Sequence, residues 1–167
     1  PPARVGPVLQ RAWAYDGIAW RRAGAEITVE MAGIEGPRWL PMACDPAHHR
    51  PVDLTADDRD RYGHDVVFVG SRYPRRETWL GALTDVDLAI WGPGWKEMRD
   101  GSPLKLSLRG AHTPPPSWCK IYSAAGIVLS VHFQDPEGRF AVHQASPRVF
   151  EAMACGAFVI SDRQRDV

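Results

Sequence analysis

The chain has 167 residues, a hydrophobic content of 44%, and 20 basic against 20 acidic side chains, for a formal net charge of zero. That balance removes any whole-protein electrostatic argument for nucleic acid or an anionic membrane, so an anion site has to be local. No apolar run approaches a membrane span, and the odd, scattered Cys44, Cys119 and Cys155 form neither a disulfide framework nor a CxxC metal motif, which favours a reducing, cytoplasmic location.

In chain order, "YDGIAW" (15–20) reads as a strand, "RAGAEITVEMAG" (22–33) as a helix and "PRWLPMACDP" (37–46) as a strand leading out. The segment "DPAHHRPVDLTADDRDRYGH" (45–64) is polar, with prolines and mixed charges, and reads as a linker with His48 and His49 at the surface. Residues 1–45 are therefore expected to be the remnant of a preceding α/β domain, 46–64 a linker, and 65–167 a second domain. The chain opens without methionine and stops where a helix would follow a strand, so a fragment truncated at both ends is expected.

From Asp65 the signal alternates. "DVVFVGS" is a buried-type strand, "RRETWLGAL" a helix with Trp79, Leu80 and Leu83 as its apolar side, and "VDLAIWGPG" the next strand. A weakly patterned stretch, 95–116, ends in prolines that exclude helix. "SWCKIYSAA" is then a helix capped by Ser117, and "GIVLSVH" a third strand. After the loop "FQDPEGRFAVHQA" comes "SPRVFEAMACGAFVISD". There Ser146 suits an N-cap, Pro147 the first turn, and Gly156 a left-handed helix end, with Val149, Phe150 and Met153 as the apolar face. Ala157 to Ile160 reads as a strand covered on both faces, and Cys155 as packed. Strands separated by helices define an α/β fold with a parallel sheet flanked by helices.

In such sheets ligands bind beyond the carboxyl ends of the strands. Three loops there are candidates. In "GSRYPRR", Gly70 and Ser71 allow a tight turn and Arg72, Arg75 and Arg76 follow, with Arg72 first among them. They form either a pyrophosphate clamp or a solvated helix start, and arginines at a helix start oppose its dipole. In "GPGW", Gly92 and Gly94 permit close backbone approach and Trp95 is placed to border a base or sugar, although GPG is more often a plain turn. At the third, the free amides at Ser146 to Val149 suit an anion. Glu151 shares the polar face with Arg148 and suits the hydroxyls of a ribose or sugar, so the pair describes a nucleotide-sugar site unless it is only a solvated face. His132 and His143 lie on the same side, where a lone histidine is more often structural. The tryptophans read mostly as core.

The segments "PRVFEAMACGAFVISD", "GIVLSVH" and "DVVFVGSRYPRR" together resemble the C-terminal, nucleotide-sugar-binding domain of GT-B glycosyltransferases. "WLPMACDPAHHRP" ahead of them is most similar to the CgeB/spore-maturation type. The resemblance covers 39–167 well and the first 38 residues loosely. It implies a Rossmann-like domain forming the C-terminal half of a GT-B fold, preceded by an acceptor-side domain. Glu151 would bind the donor ribose, and Arg72, with Arg75 or Arg76 in reserve, would neutralise the leaving diphosphate without a metal or other cofactor. The amides at Ser146 to Arg148, beside Gly70 and Ser71, would assist. His143 stands where many GT-B enzymes have a glutamate contacting the transferred sugar, and so enters the catalytic set with Arg72. The partners implied are a nucleotide-sugar donor and an acceptor of unknown kind, with no nucleic acid. With most of the acceptor side missing, donor binding with little or no transfer is expected of this chain. A non-catalytic Rossmann-like module is the alternative. An NAD-dependent oxidoreductase is disfavoured because no strand leads into GxGxxG.

Overall fold

The computed structural model describes residues 20–22, 25–27, 42–111, 113, 115–134 and 145–164, which fall in two compact units, Pro1–Pro41 and Met42–Val167. In the first unit, β1 (Trp20–Arg22) pairs antiparallel with β2 (Ala25–Ile27), Trp20 opposite Ile27. The helix expected over 22–33 is thus overturned at Ala25–Ile27, where the backbone is extended and paired, as a β-branched isoleucine favours.

The second unit begins with α1 (Ala56–Tyr62) and β3 (Val66–Val69), followed by α2 (Pro74–Gly81) and β4 (Leu88–Trp91). Two short 3₁₀ turns, Trp95–Glu97 and Pro103–Ser107, lead into β5 (Leu108–Gly110). Then come α3 (Pro115–Ala124), β6 (Ile127–Ser130), α4 (Pro147–Ala154) and β7 (Val159–Ser161). The five strands form one all-parallel sheet in the order β5-β4-β3-β6-β7. The chain therefore starts at the middle strand, builds outward through β4, then crosses back to β6. This reversal puts a crevice at the carboxyl ends of β3 and β6.

Both faces of the sheet are covered, and the period of two sorts the side chains between them. Val67, Val69, Ala89 and Trp91 pack with Ile121 and Tyr122 of α3, Ala152 of α4, and Tyr62 of α1. Val66, Phe68, Leu88 and Ile90 pack on the other side with Leu80 of α2, Trp95 and Leu104. Burying β3 and β4 completely is what lets them read as unbroken apolar runs.

The segment expected to be a linker is built into this unit instead. Thr55 opens α1 with a capping box to Asp58, Lys120 donates to Asp58 at 2.8 Å, and Tyr62 enters the core. Its charges lie on the outer face of a helix whose inner face is anchored, and composition alone does not separate that from a linker. Further expectations are corrected. The helix after the prolines starts at Pro115, two residues before Ser117, because proline is tolerated in a first turn. In α4 Met153 is 60% exposed, and the buried stripe is Val149, Ala152 and Cys155. In and around β7, the outermost strand of the described sheet, Phe158 and Ile160 are exposed rather than covered. Gly156 does take the left-handed conformation, at φ 84°, that ends α4.

Candidate functional site

The carboxyl end of β3 passes into Gly70 and Ser71, and the loop is held closely by its neighbours. The Gly70 amide donates to the Trp91 carbonyl at 2.8 Å, and the Gly70 carbonyl accepts from the Trp95 indole at 2.8 Å. A Cβ on Gly92 would run into that same carbonyl, so the glycine of "GPG" serves contact between the two loops. Trp95, 2% exposed, is a core residue that clamps Gly70 and presents no face to a ligand. The Arg72 amide donates to the Pro93 carbonyl at 3.0 Å, tying the loops further.

The three arginines of this loop go to three different places. Arg72 is ion-paired with Glu77 through Nε and Nη2, both at 2.6 Å from Oε2. Arg75 lies over the Trp79 ring and donates to Asp162 at 2.8 Å and to the His132 carbonyl at 3.3 Å. Arg76 is buried, donating to the carbonyls of Val131 at 2.8 Å and Ser71 at 2.9 Å, with Phe68 and Tyr73 rings beside its guanidinium. Arg76 therefore ties the β3 loop to the end of β6. The cost of an arginine at a helix start is met here by carboxylates, carbonyls and rings.

Arg148 is the cation that reaches the centre. From the first turn of α4 its guanidinium crosses the end of β3, 5.2 Å from the Phe68 ring centroid and against Gly70. The Tyr122 phenol lies near enough to feel its charge, and burial pushes the ionisation of that phenol up. The Arg148 Nη1 is buried without a hydrogen-bond partner among the described residues. Glu151, one turn on and half-buried, also acts on the Tyr122 phenol, so the cation and the carboxylate share one locale. Ser146 precedes the helix with an extended backbone and makes no side-chain cap, but its carbonyl accepts from the Val149 amide at 3.0 Å. Pro147 has no N–H, so the Arg148 amide is the first-turn donor that Ser146 leaves unbonded. His143 lies outside the described residues.

Two features were not legible beforehand. His49, expected at the surface, has its Nε2 3.9 Å from Glu151 and is largely covered. Only the spacing of 102 residues between them was visible in the sequence, and that carries no signal. The second is a buried polar cluster at the ends of β6 and β7. Asp162 accepts from the His132 amide at 2.8 Å, binds its Nδ1 at 2.7 Å, and accepts from Arg75 and from Gln164. Burial alone would raise the Asp162 pKa, but these donors outweigh it and hold the carboxyl below its ordinary 3.8. Among the described residues no three His, Cys, Asp or Glu side chains gather as a metal-ligand group, and no helix is long and apolar enough to cross a membrane.

The family model described as glycosyl transferase-like matches residues 57–167, two-thirds of the sequence, and the chain belongs to that family. Among solved structures it is similar to AviGT4, a glycosyltransferase involved in avilamycin A biosynthesis, at 18% identity and a TM-score of 0.54. That likeness covers 79% of this chain and 40% of AviGT4, so the chain spans well under half the length of that enzyme. It supports the α/β fold of parallel strands flanked by helices. No curated protein matches the sequence.

Proposed function

We propose that this chain is the donor-binding part of a GT-B glycosyltransferase, of the CgeB type and cytoplasmic. It would hold a nucleoside-diphosphate sugar without a metal and present it to an acceptor hydroxyl. The observation that carries the reading is Arg148, with a buried Nη1 that has no partner among the described residues, at the end of β3 and one helical turn from half-buried Glu151. A diphosphate needs a desolvated cation and helix amides, and a ribose needs an acceptor for two hydroxyls. In this reading Arg148, through its guanidinium and its backbone amide at the start of α4, takes the phosphates and Glu151 the ribose. Arg72 is a second cation, available when Glu77 releases it.

Mechanistically, glycosyl transfer leaves negative charge on the departing diphosphate. Donors already fixed in a partly dry site stabilise that charge without reorganising. Arg148, set against the Phe68 ring and the backbone of Gly70, has this character.

The test is a thermal-shift titration with UDP, GDP, ADP and their hexose conjugates. A ligand at a hundred times its Kd should add about 2.7 kcal/mol. Stabilisation by one base, lost in folded Arg148→Ala and Glu151→Ala variants, is the expected result. A cooperative melt that no nucleotide moves would end the donor-site reading.

A further inference from the structure

A buried imidazole nitrogen at the end of β6 lacks a partner among the described residues. His132 is 3% exposed, its Nδ1 is 2.7 Å from Asp162 Oδ1, and its Nε2 is buried with no hydrogen-bond partner among the described residues. Asp162 is an acceptor, already bonded by the His132 amide, Arg75 and Gln164. The bond to Nδ1 therefore requires the hydrogen on Nδ1, which leaves Nε2 of the neutral ring as a bare acceptor. The donors that hold Asp162 ionised keep this tautomer in place. An orphaned buried acceptor is uncommon enough to call for a reason.

The ring also lines a pocket of about 310 Å³ between the loops after β3 and β6. Tyr73 and Phe133 stand in its wall edge to face, centroids 5.2 Å apart, with Arg75 and Gln134 alongside. The positive charges bordering it are committed, Arg75 to Asp162 and Arg76 to two carbonyls. So the pocket offers aromatic surface and an amide rather than a free cation, with the buried Nε2 acceptor on one of its lining residues. Aromatic walls with a few fixed polar groups suit a ring that is apolar on its faces and hydroxylated at its edge.

We propose that this pocket is a saccharide subsite, in which a sugar hydroxyl donates to His132 Nε2 and Asp162 positions the ring. Tyr73 and Gln134 are the exposed members of the wall beside His132. The proposal rests on the glycosyl-transfer reading and deepens it by naming a sugar contact outside the Arg148–Glu151 locale. The same chemistry admits two sources, the sugar of the donor or a sugar acceptor.

The test uses His132→Asn, whose amide can keep the bond to Asp162 while removing the Nε2 acceptor. Calorimetric titrations would compare UDP, GDP and ADP, their hexose conjugates, and methyl glycosides of glucose, galactose and mannose. A tenfold loss for a conjugate with the bare diphosphate unchanged supports the subsite and identifies the donor sugar as its occupant. A tenfold loss for a glycoside alone supports it with an acceptor sugar. Equal loss for diphosphate and conjugate, or no loss anywhere, overturns it. Nitrogen-15 spectra of the wild-type imidazole give a reading free of the variant. The pyridine-like Nε2 signal should shift when a conjugate or a glycoside is added, and a signal that moves with neither overturns the proposal. If no nucleotide binds at all, the donor reading fails, and the glycoside titration and the Nε2 signal still decide this one.

Discussion

The Arg148 guanidinium fills the space that a side chain on Gly70 would need. A Cβ built on Gly70 stands 2.5 Å from Arg148 Nη2 and 3.2 Å from Cζ. Glycine at the end of β3 is thus a seat for a cation that arrives 78 positions later. Gly70→Ala should displace the far end of a flexible side chain, at a stability cost on the order of 1 kcal/mol. Nucleoside-diphosphate affinity should nevertheless fall about tenfold, since the cation no longer points at the strand end. Denaturant midpoints and nucleotide titrations on the same variant check this. Loss of stability without loss of affinity would detach Arg148 from the phosphate role.

The two central arginines should behave differently. Arg72 is engaged by Glu77, whereas Arg148 has a buried nitrogen without a partner among the described residues. Hydrogen bonds to charged groups are worth roughly 1.5–3 kcal/mol, so Arg148→Ala should weaken diphosphate binding by about ten- to a hundredfold. Arg72→Ala should cost much less, and Glu77→Gln should tighten binding by releasing Arg72. Calorimetry on the three variants decides. A large loss in Arg72→Ala together with no gain in Glu77→Gln would mean that the ion pair itself shapes the site.

These contrasts mark where local sequence signals stop. The strands β3, β4 and β6 and the helices α2 and α4 announce themselves because burial on both faces makes apolar runs and because Pro147 and Gly156 punctuate α4. The three-residue β5 does not, being short and joined to β4 with a shift of register at Ile90 and Trp91. Trp79 reads as core from its helical spacing, yet it is 46% exposed and is covered on one side by Arg75. In the candidate site the residue types of the loop and of α4 were legible. Their partners were not, because Arg75 meets Asp162 across 87 positions and Arg76 meets Val131 across 55. Periodicity reports on a residue's own element and says nothing about which distant carboxylate will neutralise it.

The Asp162 cluster makes acid sensitivity a defined expectation. Its folded pKa lies below the ordinary 3.8, so near that pH the unfolded chain binds more protons than the folded one. The contribution is complete above the unfolded value and is lost as pH falls through the folded one. Asp58, lowered chiefly by its bond from Lys120, acts in the same direction. Urea midpoints measured from about pH 6 downward should hold steady and then drop below about pH 4. In Asp162→Asn the protein should be less stable at neutral pH and the acid drop shallower. An unchanged slope would show that Asp162 titrates alike in both states.

Thiol reactivity should separate the cysteines by position. Cys155 is 1% exposed, and burial, with Cys119 beside it, pushes its pKa up to about 12. At pH 8 that leaves roughly one thiolate in ten thousand, and the thiolate is the reacting species. Cys119 is buried with Sγ 3.2 Å from the His48 carbonyl, whereas Cys44 is only partly covered. A disulfide reagent added to the native protein should therefore modify Cys44 quickly and the other two only as the fold opens. Adding urea through the unfolding transition should bring their rates up together, because both sit in the core formed by α3 and α4. Fast labelling of Cys155 without denaturant would mean that α4 opens locally. The Arg148 and Glu151 positions on that helix would then be less fixed than a preorganised phosphate site requires.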